Sequence, residues 1–361
     1  MAEQALTLFV GDLPIEDGAM TTGTLEVAGT ITASQFWPEG KSDADTASIV
    51  VDVTGDSFRF QSHHGASFRV TRFFQGAVVV GRQRKPPVSA AGKMTIRLQG
   101  IDAPELHYRP TPLSKEEKKA ASAAQIQAFK ALNHSYRQFL GATASKALHD
   151  FVRRAGADPI ACRVFTHVDK PNEVFDTYGR FVGDIEITVG GARANINHWL
   201  IENGWAMPGF YASMDDDEIT TISGLAAAAR RARKGVWPSF TRTIGNFDFD
   251  LLEPKKGQTG VLADDKGPVI FPKLYRRQTN WAVRKKAKIT AIAFQRFLDR
   301  QSDSCFETDD FLANGAASAT RFDFAEFVSK GRTAEFEPSG LVFSEAKSTI
   351  IGPDKKPITN F

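Results

Sequence analysis

Arg97, Asp102 and Glu105 bring a guanidinium and two carboxylates together along one short stretch, Met94 to Glu105. Thr95, Ile96, Arg97, Leu98 and Ile101 read as a strand with side chains on both faces. Ala103-Pro104 then turns the chain out of the ladder, because proline has no N–H to donate and restricts the residue before it. Asp102 and Glu105 are therefore expected at a strand exit, where a rigid element positions groups and the turn exposes them. Two carboxylates beside an arginine suit a hard cation, a water to be deprotonated and a phosphate to be held. A surface salt-bridge cluster beside a proline turn has the same composition, and the spacing alone does not separate the two.

Asp176-Thr177-Tyr178-Gly179-Arg180 adds a second arginine on a tight turn. Together with Arg97-Leu98-Gln99-Gly100-Ile101-Asp102-Ala103-Pro104-Glu105, it resembles the signature of the staphylococcal nuclease (thermonuclease) family. That signature is an R-L-x-x-[IV]-D-[AT]-P-E strand exit followed, after a helix, by D-x-Y-G-R. The resemblance continues through a helix from Ala194 to Gly204 and ends in a basic helix closed by Gly235-Val236-Trp237-Pro238-Ser239.

The resemblance implies an α+β fold in which a five-stranded OB-fold β-barrel is flanked by helices. It also implies a calcium-dependent nuclease that hydrolyses phosphodiester bonds of DNA or RNA. Matched position by position, Glu105 would be the general base, and Arg97 and Arg180 would grip the phosphate and stabilise its transition state. Asp102 would bind calcium directly, Ala103 would contribute its main-chain carbonyl, and Asp45 would be the second carboxylate. Products would be 3′-phosphates and 5′-hydroxyls. Tyr178, Phe210 and Tyr211 would be the substrate-binding aromatics; a packing role competes for Phe210, whereas the Tyr211 hydroxyl suits stacking or phosphate contact. The alternative is a catalytically weak or inactive nucleic-acid-binding or scaffold module, against which the joint retention of Arg97, Glu105 and Arg180 argues.

The elements that must position these residues begin with strand formers over residues 1–90: Thr24 to Val27, Thr30 to Thr32, Ser48 to Val53, Ser57 to Phe60, Ser67 to Val70 and Ala77 to Val80. Turn residues separate them, so a β-meander is expected, in part supplying the first barrel strands. Asp43-Ala44-Asp45-Thr46 fits the D-G-D-T turn of the resembled family, and Gly55-Asp56-Ser57 offers a second register. Counting back from Arg97 by a short hairpin lands near Gly76, where there is no carboxylate. Either a long insertion separates the Asp45 turn from the Arg97 strand, or the metal site has lost one carboxylate. Residues 91–240 form the expected nuclease core.

Ser114 and Glu117 form a capping box that opens an inserted helix over about 114–132, and a second helix over Thr143 to Ala155 stops at Gly156. His107 and Tyr108 follow the turn and suit packing or stacking better than holding calcium, which prefers oxygen. The run Asp215 to Glu218 reads as acidic complement to a helix N-terminus. Residues 241–361 have no assigned role; a basic helix near 279–300, with Lys273, Arg276 and Arg277 upstream, would either track a phosphate backbone or present a solvated face.

At 361 residues the chain is long enough for several domains. A formal charge of +3 does not by itself argue for a nucleic-acid partner. Cys162 and Cys305, far apart and outside any metal-ligand spacing, speak against zinc and a disulfide framework. No signal-peptide pattern and no apolar run long enough to cross a bilayer is present, so a cytoplasmic protein without a membrane partner is the default expectation. No sequence feature identifies a protein partner.

Overall fold

The structure is a computed structural model that describes residues 23–36, 43–52, 58–62, 67–70, 75–156, 158–168, 170–244, 268–330, 332–346 and 348–359. Five strands close into a barrel: β1 (Gly23–Ile31), β2 (Thr46–Val51), β3 (Lys93–Leu98), β4 (Ile160–Val168) and β5 (Phe181–Val189). β1 pairs with β2 and β4, β2 with β3, and β4 with β5, all antiparallel; the parallel pairing of β3 with β5 closes the ring. Side chains alternate between buried and exposed along β2 and β4, as expected where one face fills a core and the other meets solvent or a second layer. Gly183 lets β5 close against β4, since a Cβ there would stand 2.5 Å from the Phe165 carbonyl oxygen. The result is an α+β fold built on a closed five-stranded barrel, consistent with an OB-fold.

The expected Thr24 and Thr30 strands are one continuous strand, β1. Phe58–Ser62 extends the sheet beside β1, and Ala77–Val80 forms a separate hairpin with Gln83–Lys85. Residues 52–92 thus lie between two strands that pair directly, with Thr46 opposite Arg97. That pairing is the arrangement expected from an insertion.

Helices follow the barrel strands. The expected helix at 114–132 is two: α1 (Lys115–Ala120) and α2 (Ala123–Leu132). Ala121 is extended, and Ser122 with Gln125 forms a second capping box, so the chain restarts rather than continues. Then come α3 (Gly141–Arg153), α4 (Ile196–Glu202) and α5 (Asp216–Arg231), the last N-capped by Asp215.

The C-terminal residues contribute α6 (Pro272–Lys286), α7 (Phe294–Asp299) and α8 (Thr308–Ser318). The single basic helix expected near 279–300 is therefore two helices; Lys288, in the left-handed region at φ 56°, ends the first. The segment Phe322 to Phe327 is a short strand and a 3-10 turn.

This C-terminal part packs directly on the barrel. One hydrophobic core runs from Leu25 through Phe181 to Phe306, Phe324 and Phe343, which accounts for much of the phenylalanine. Leu341–Phe343 pairs in parallel with Phe210–Tyr211, and Thr349–Ile351 pairs with Ala77–Val80. A second cluster, including Phe129, Tyr136, Tyr275 and Val283, joins α2 to α6. Among the described residues, no helix is long and apolar enough to cross a membrane.

Candidate active site

The strand exit after β3 is fixed from both sides. Asp102 pairs with Met207 in a short antiparallel ladder, and Gly209 donates its N–H to the Gly100 carbonyl. Pro104 then frees the chain, and the Glu105 carbonyl accepts the Gln138 N–H while its own N–H donates to Gln138 Oε1 at 3.3 Å. Asp102 and Glu105 are 3% and 6% exposed, so both carboxylates sit in a recess rather than on an open surface.

The Asp45 turn reaches this exit. Asp45 Oδ2 accepts the Ala103 N–H at 2.9 Å and pairs with Arg97 Nη1 at 2.9 Å. Arg97 Nη2 donates to Asp102 Oδ1 at 3.1 Å, so one guanidinium links the two carboxylates. Asp43, in the same turn, accepts the N–H groups of Leu106 and His107 and so holds the residues just beyond Glu105. Sequence reading passed over Asp43, although it stands in the first position of the Asp43-Ala44-Asp45-Thr46 motif. Asp56 lies outside the described residues.

Arg180 enters through a turn that Asp176 organises. Asp176 Oδ1 accepts the N–H groups of Tyr178 and Arg180, and Oδ2 takes the Arg180 Nε–H at 2.7 Å. Gly179 stands at φ 83°, a conformation that strains other residues, and a Cβ there would press on Val80. Arg180 Nη1 donates to Thr46 Oγ1, which in turn donates to Asp45 Oδ1. A continuous chain of contacts therefore joins Arg180 to Asp45, Arg97, Asp102 and the Glu105 turn.

The aromatics divide sharply. Phe210 is 0% exposed and packs in the main core, the packing role that competed with a substrate contact for it. Its neighbour Tyr211 points to the other side of the same short strand, half-buried, close enough to interact with both Arg97 and Arg276. Tyr178 is 68% exposed, with the Arg180 guanidinium 5.5 Å from its ring centroid. Tyr108 is a packing residue whose hydroxyl accepts from Asn280.

Sequence reading also missed Arg276 as a site residue. From α6 it donates to Asp102 Oδ1 at 2.9 Å and Asp102 Oδ2 at 2.8 Å, and a further short bond runs from Nη1 to Glu105 Oε1. Three other basic groups of the expected phosphate track are paired internally, Arg277 and Lys273 with Asp303 and Arg284 with Glu117, while Lys285, Lys286 and Lys288 are exposed.

Electrostatics follow from this crowding. Burial pushes the Glu105 carboxyl up to about 8, with Arg276 opposing and Asp43 reinforcing the rise. Burial and the neighbouring Asp45 raise Asp43 to about 6. Burial also works against the charged form of Asp102, but Arg276 and Arg97 outweigh it and hold that carboxyl below the usual range. Burial is the main reason that Glu105 and Asp43 stand high, with Arg276 opposing it at both. Asp45, Asp102 and the Ala103 carbonyl beside them are all oxygen donors. An all-oxygen donor set fits a hard divalent cation.

A separate cluster, Asp184, His198 and Glu218, has ligand atoms within 4.8 Å of one another. Its members satisfy each other and their surroundings: His198 Nε2 meets Glu218 Oε1 at 2.9 Å, and both Asp184 oxygens accept amide N–H groups from Asn195 and Asn197.

Residues 95–239 match the family model described as staphylococcal nuclease homologue, while β1 and β2, which complete the barrel, lie before the matched segment. No curated protein matches the chain. With the strand exit, the Asp176–Arg180 turn and a closed barrel all in place, residues 95–239 are a staphylococcal nuclease domain, a module of nuclease-like or nucleic-acid-binding type.

Proposed function

We propose that the protein is a metal-dependent phosphodiesterase that hydrolyses DNA or RNA at the Arg97–Glu105 turn. The observation behind this reading is the contact chain that brings Arg97, Arg180, Asp45, Asp102 and Glu105 to one recess. Glu105, its carboxyl raised by burial, is a stronger base than an ordinary glutamate once ionised. It takes a proton from the water that attacks phosphorus. The P–O5′ bond breaks, and the departing 5′-oxygen takes a proton from solvent water, leaving a 3′-phosphate and a 5′-hydroxyl. Arg97 and Arg180 hold the phosphate oxygens, where planar forks with several donors match the charge that builds up in the transition state.

Asp102, Asp45 and the Ala103 carbonyl would hold calcium, which supplies positive charge beside the scissile phosphate when bound. Tyr211 and Tyr178 lie where a base or sugar could contact them, Tyr211 beside Arg97 and Tyr178 over Arg180.

A second reading, a nucleic-acid-binding module with little catalysis, draws on one observation: Arg276 already engages Glu105 and Asp102. Incubating single-stranded oligonucleotides of DNA and of RNA with the protein and calcium, then identifying the end groups, decides between the two. Cleavage to 3′-phosphate ends supports the phosphodiesterase. Retention of intact oligonucleotide on the protein supports the binding module.

A further inference from the structure

We propose that Arg276 is an internal competitor for the cation site: its guanidinium and a divalent cation exclude one another at Asp102 and Glu105. The inference rests on the reading of Asp102 as a cation ligand. Both Asp102 oxygens accept from the Arg276 fork, at 2.9 and 2.8 Å, and the same nitrogen that reaches Oδ1 also reaches Glu105 Oε1. A cation bound directly by Asp102 would have to take at least one of those oxygens. Oδ1 already carries Arg97 at 3.1 Å beside Arg276, so the cation would take Oδ2, which Arg276 holds, and a doubly charged ion there would be strongly repelled by the Arg276 fork in a recess so closed to water.

The helix bearing Arg276 does not swing away to make room. Its Asn280 Oδ1 accepts from the Thr111 N–H at 2.8 Å, and Arg284 bonds Glu117 and the Thr111 and Pro112 carbonyls. Thr279 and Val283 are fully buried beneath it. The exchange is therefore a movement of the Arg276 side chain alone, over an anchored α6. In this way a residue outside the matched domain sets how much cation the nuclease centre needs.

The test is calorimetric titration of calcium into the full chain, without nucleic acid, for wild type, Arg276→Gln and Arg276→Lys. Competition lowers apparent affinity by the fraction of molecules in which the site is open. Arg276→Gln is expected to bind calcium about tenfold tighter or more, and Arg276→Lys, which keeps charge but loses the fork, to fall between it and wild type. Equal or weaker binding in the variants, or no binding in any of the three, overturns the proposal. Should Arg276→Gln fail to fold, nitrogen-15 spectra of the arginine side chains in wild type decide. Calcium is expected to release one restrained guanidinium, the signal missing from Arg276→Lys; its persistence at saturating calcium overturns the proposal. Tighter calcium binding without any cleavage would leave the competition standing while removing the phosphodiesterase reading. Cleavage with unchanged calcium affinity would do the reverse.

Discussion

Arg276 donates from both terminal nitrogens to the two carboxylate oxygens of Asp102, across 174 positions of sequence. That pairing ties the C-terminal helix to the strand exit where the proposed chemistry lies. It also places the charge balance of the site under the control of residues beyond the nuclease domain.

The two arginines proposed to hold the phosphate should not tolerate lysine. Arg97 links Asp45 with Asp102, and Arg180 is held by Asp176 and Thr46, so both roles need a planar fork with several donors. Arg97→Lys and Arg180→Lys are each expected to lower kcat by roughly 10² to 10³, the scale for loss of a transition-state donor. Steady-state cleavage of an oligonucleotide reads this, and near-normal kcat in both would reduce the arginines to structural roles.

Asp45 and Asp56 make opposite predictions for calcium. Asp45 contacts Ala103 and Arg97 beside Asp102, so Asp45→Asn keeps an acceptor there while removing a charge. It is expected to raise the calcium needed for half-maximal cleavage by about tenfold or more, since affinity follows ligand charge. Asp56→Asn should leave the calcium curve in place. The reverse pattern would assign the site to Asp56, and no change in either would mean a site that has lost one carboxylate.

Much of this arrangement is legible in the sequence because it is local. Arg97, Asp102 and Glu105 share one strand and its exit, and Asp176 and Arg180 close one turn, so spacing alone puts them together. The Asp45 turn is legible only through its likeness to D-G-D-T, with Asp56 as a second register; the pairing of its strand with β3, which brings Asp45 to Asp102, joins residues too far apart in sequence for spacing to show. Arg276 is not: nothing in Arg276-Arg277 tells which arginine faces the site, and helix rotation decides it by burying Tyr275 and Gln278 on neighbouring faces. The same holds for Phe210 and Tyr211. Period-two alternation says that one points inward, but only the packing of the folded chain shows that it is Phe210. The break at Ala121 was readable in Ser122 and Gln125, which form a capping box like that of Ser114 and Glu117.

Stability and binding should separate between these two aromatics. Phe210→Ala empties a fully buried site and is expected to cost about 3–5 kcal/mol. Tyr211→Phe should leave the melting temperature near wild type and raise KM for an oligonucleotide. Denaturant unfolding and cleavage kinetics on both variants check the division; a stable Phe210→Ala protein with raised KM would return Phe210 to the substrate site.

The cluster of Asp184, His198 and Glu218 should make the fold less stable as pH rises. Burial, then Glu218, raises Asp184 from 3.8 to about 7, so between those values the folded form keeps a proton that the unfolded form has released. Folding then favours the protonated state, and stability falls with pH across that window. The hydrogen bond to Glu218 raises His198 above 6.5, so its contribution is complete below that value and is lost as pH rises through the higher folded one. Asp102 and Asp303, lowered by arginine and lysine partners, act oppositely but only below the ordinary carboxylate range. Melting temperatures from about pH 5 to about pH 8 are expected to fall more steeply for wild type than for Asp184→Asn, which cannot titrate. Parallel curves would show that Asp184 is ionised throughout.

Glu105→Gln tests the proposed chemistry most directly. Glutamine keeps the shape and an acceptor for Arg276 but cannot take a proton. In wild type, with Glu105 raised to about 8, kcat/KM should climb with pH toward that value as the base ionises. The measurement is the pH profile of oligonucleotide cleavage for both proteins at saturating calcium. The expected result is a rate at least about a hundredfold lower in Glu105→Gln, with the rising limb gone and oligonucleotide binding retained. Unchanged turnover with the same rising limb would contradict Glu105 as the base.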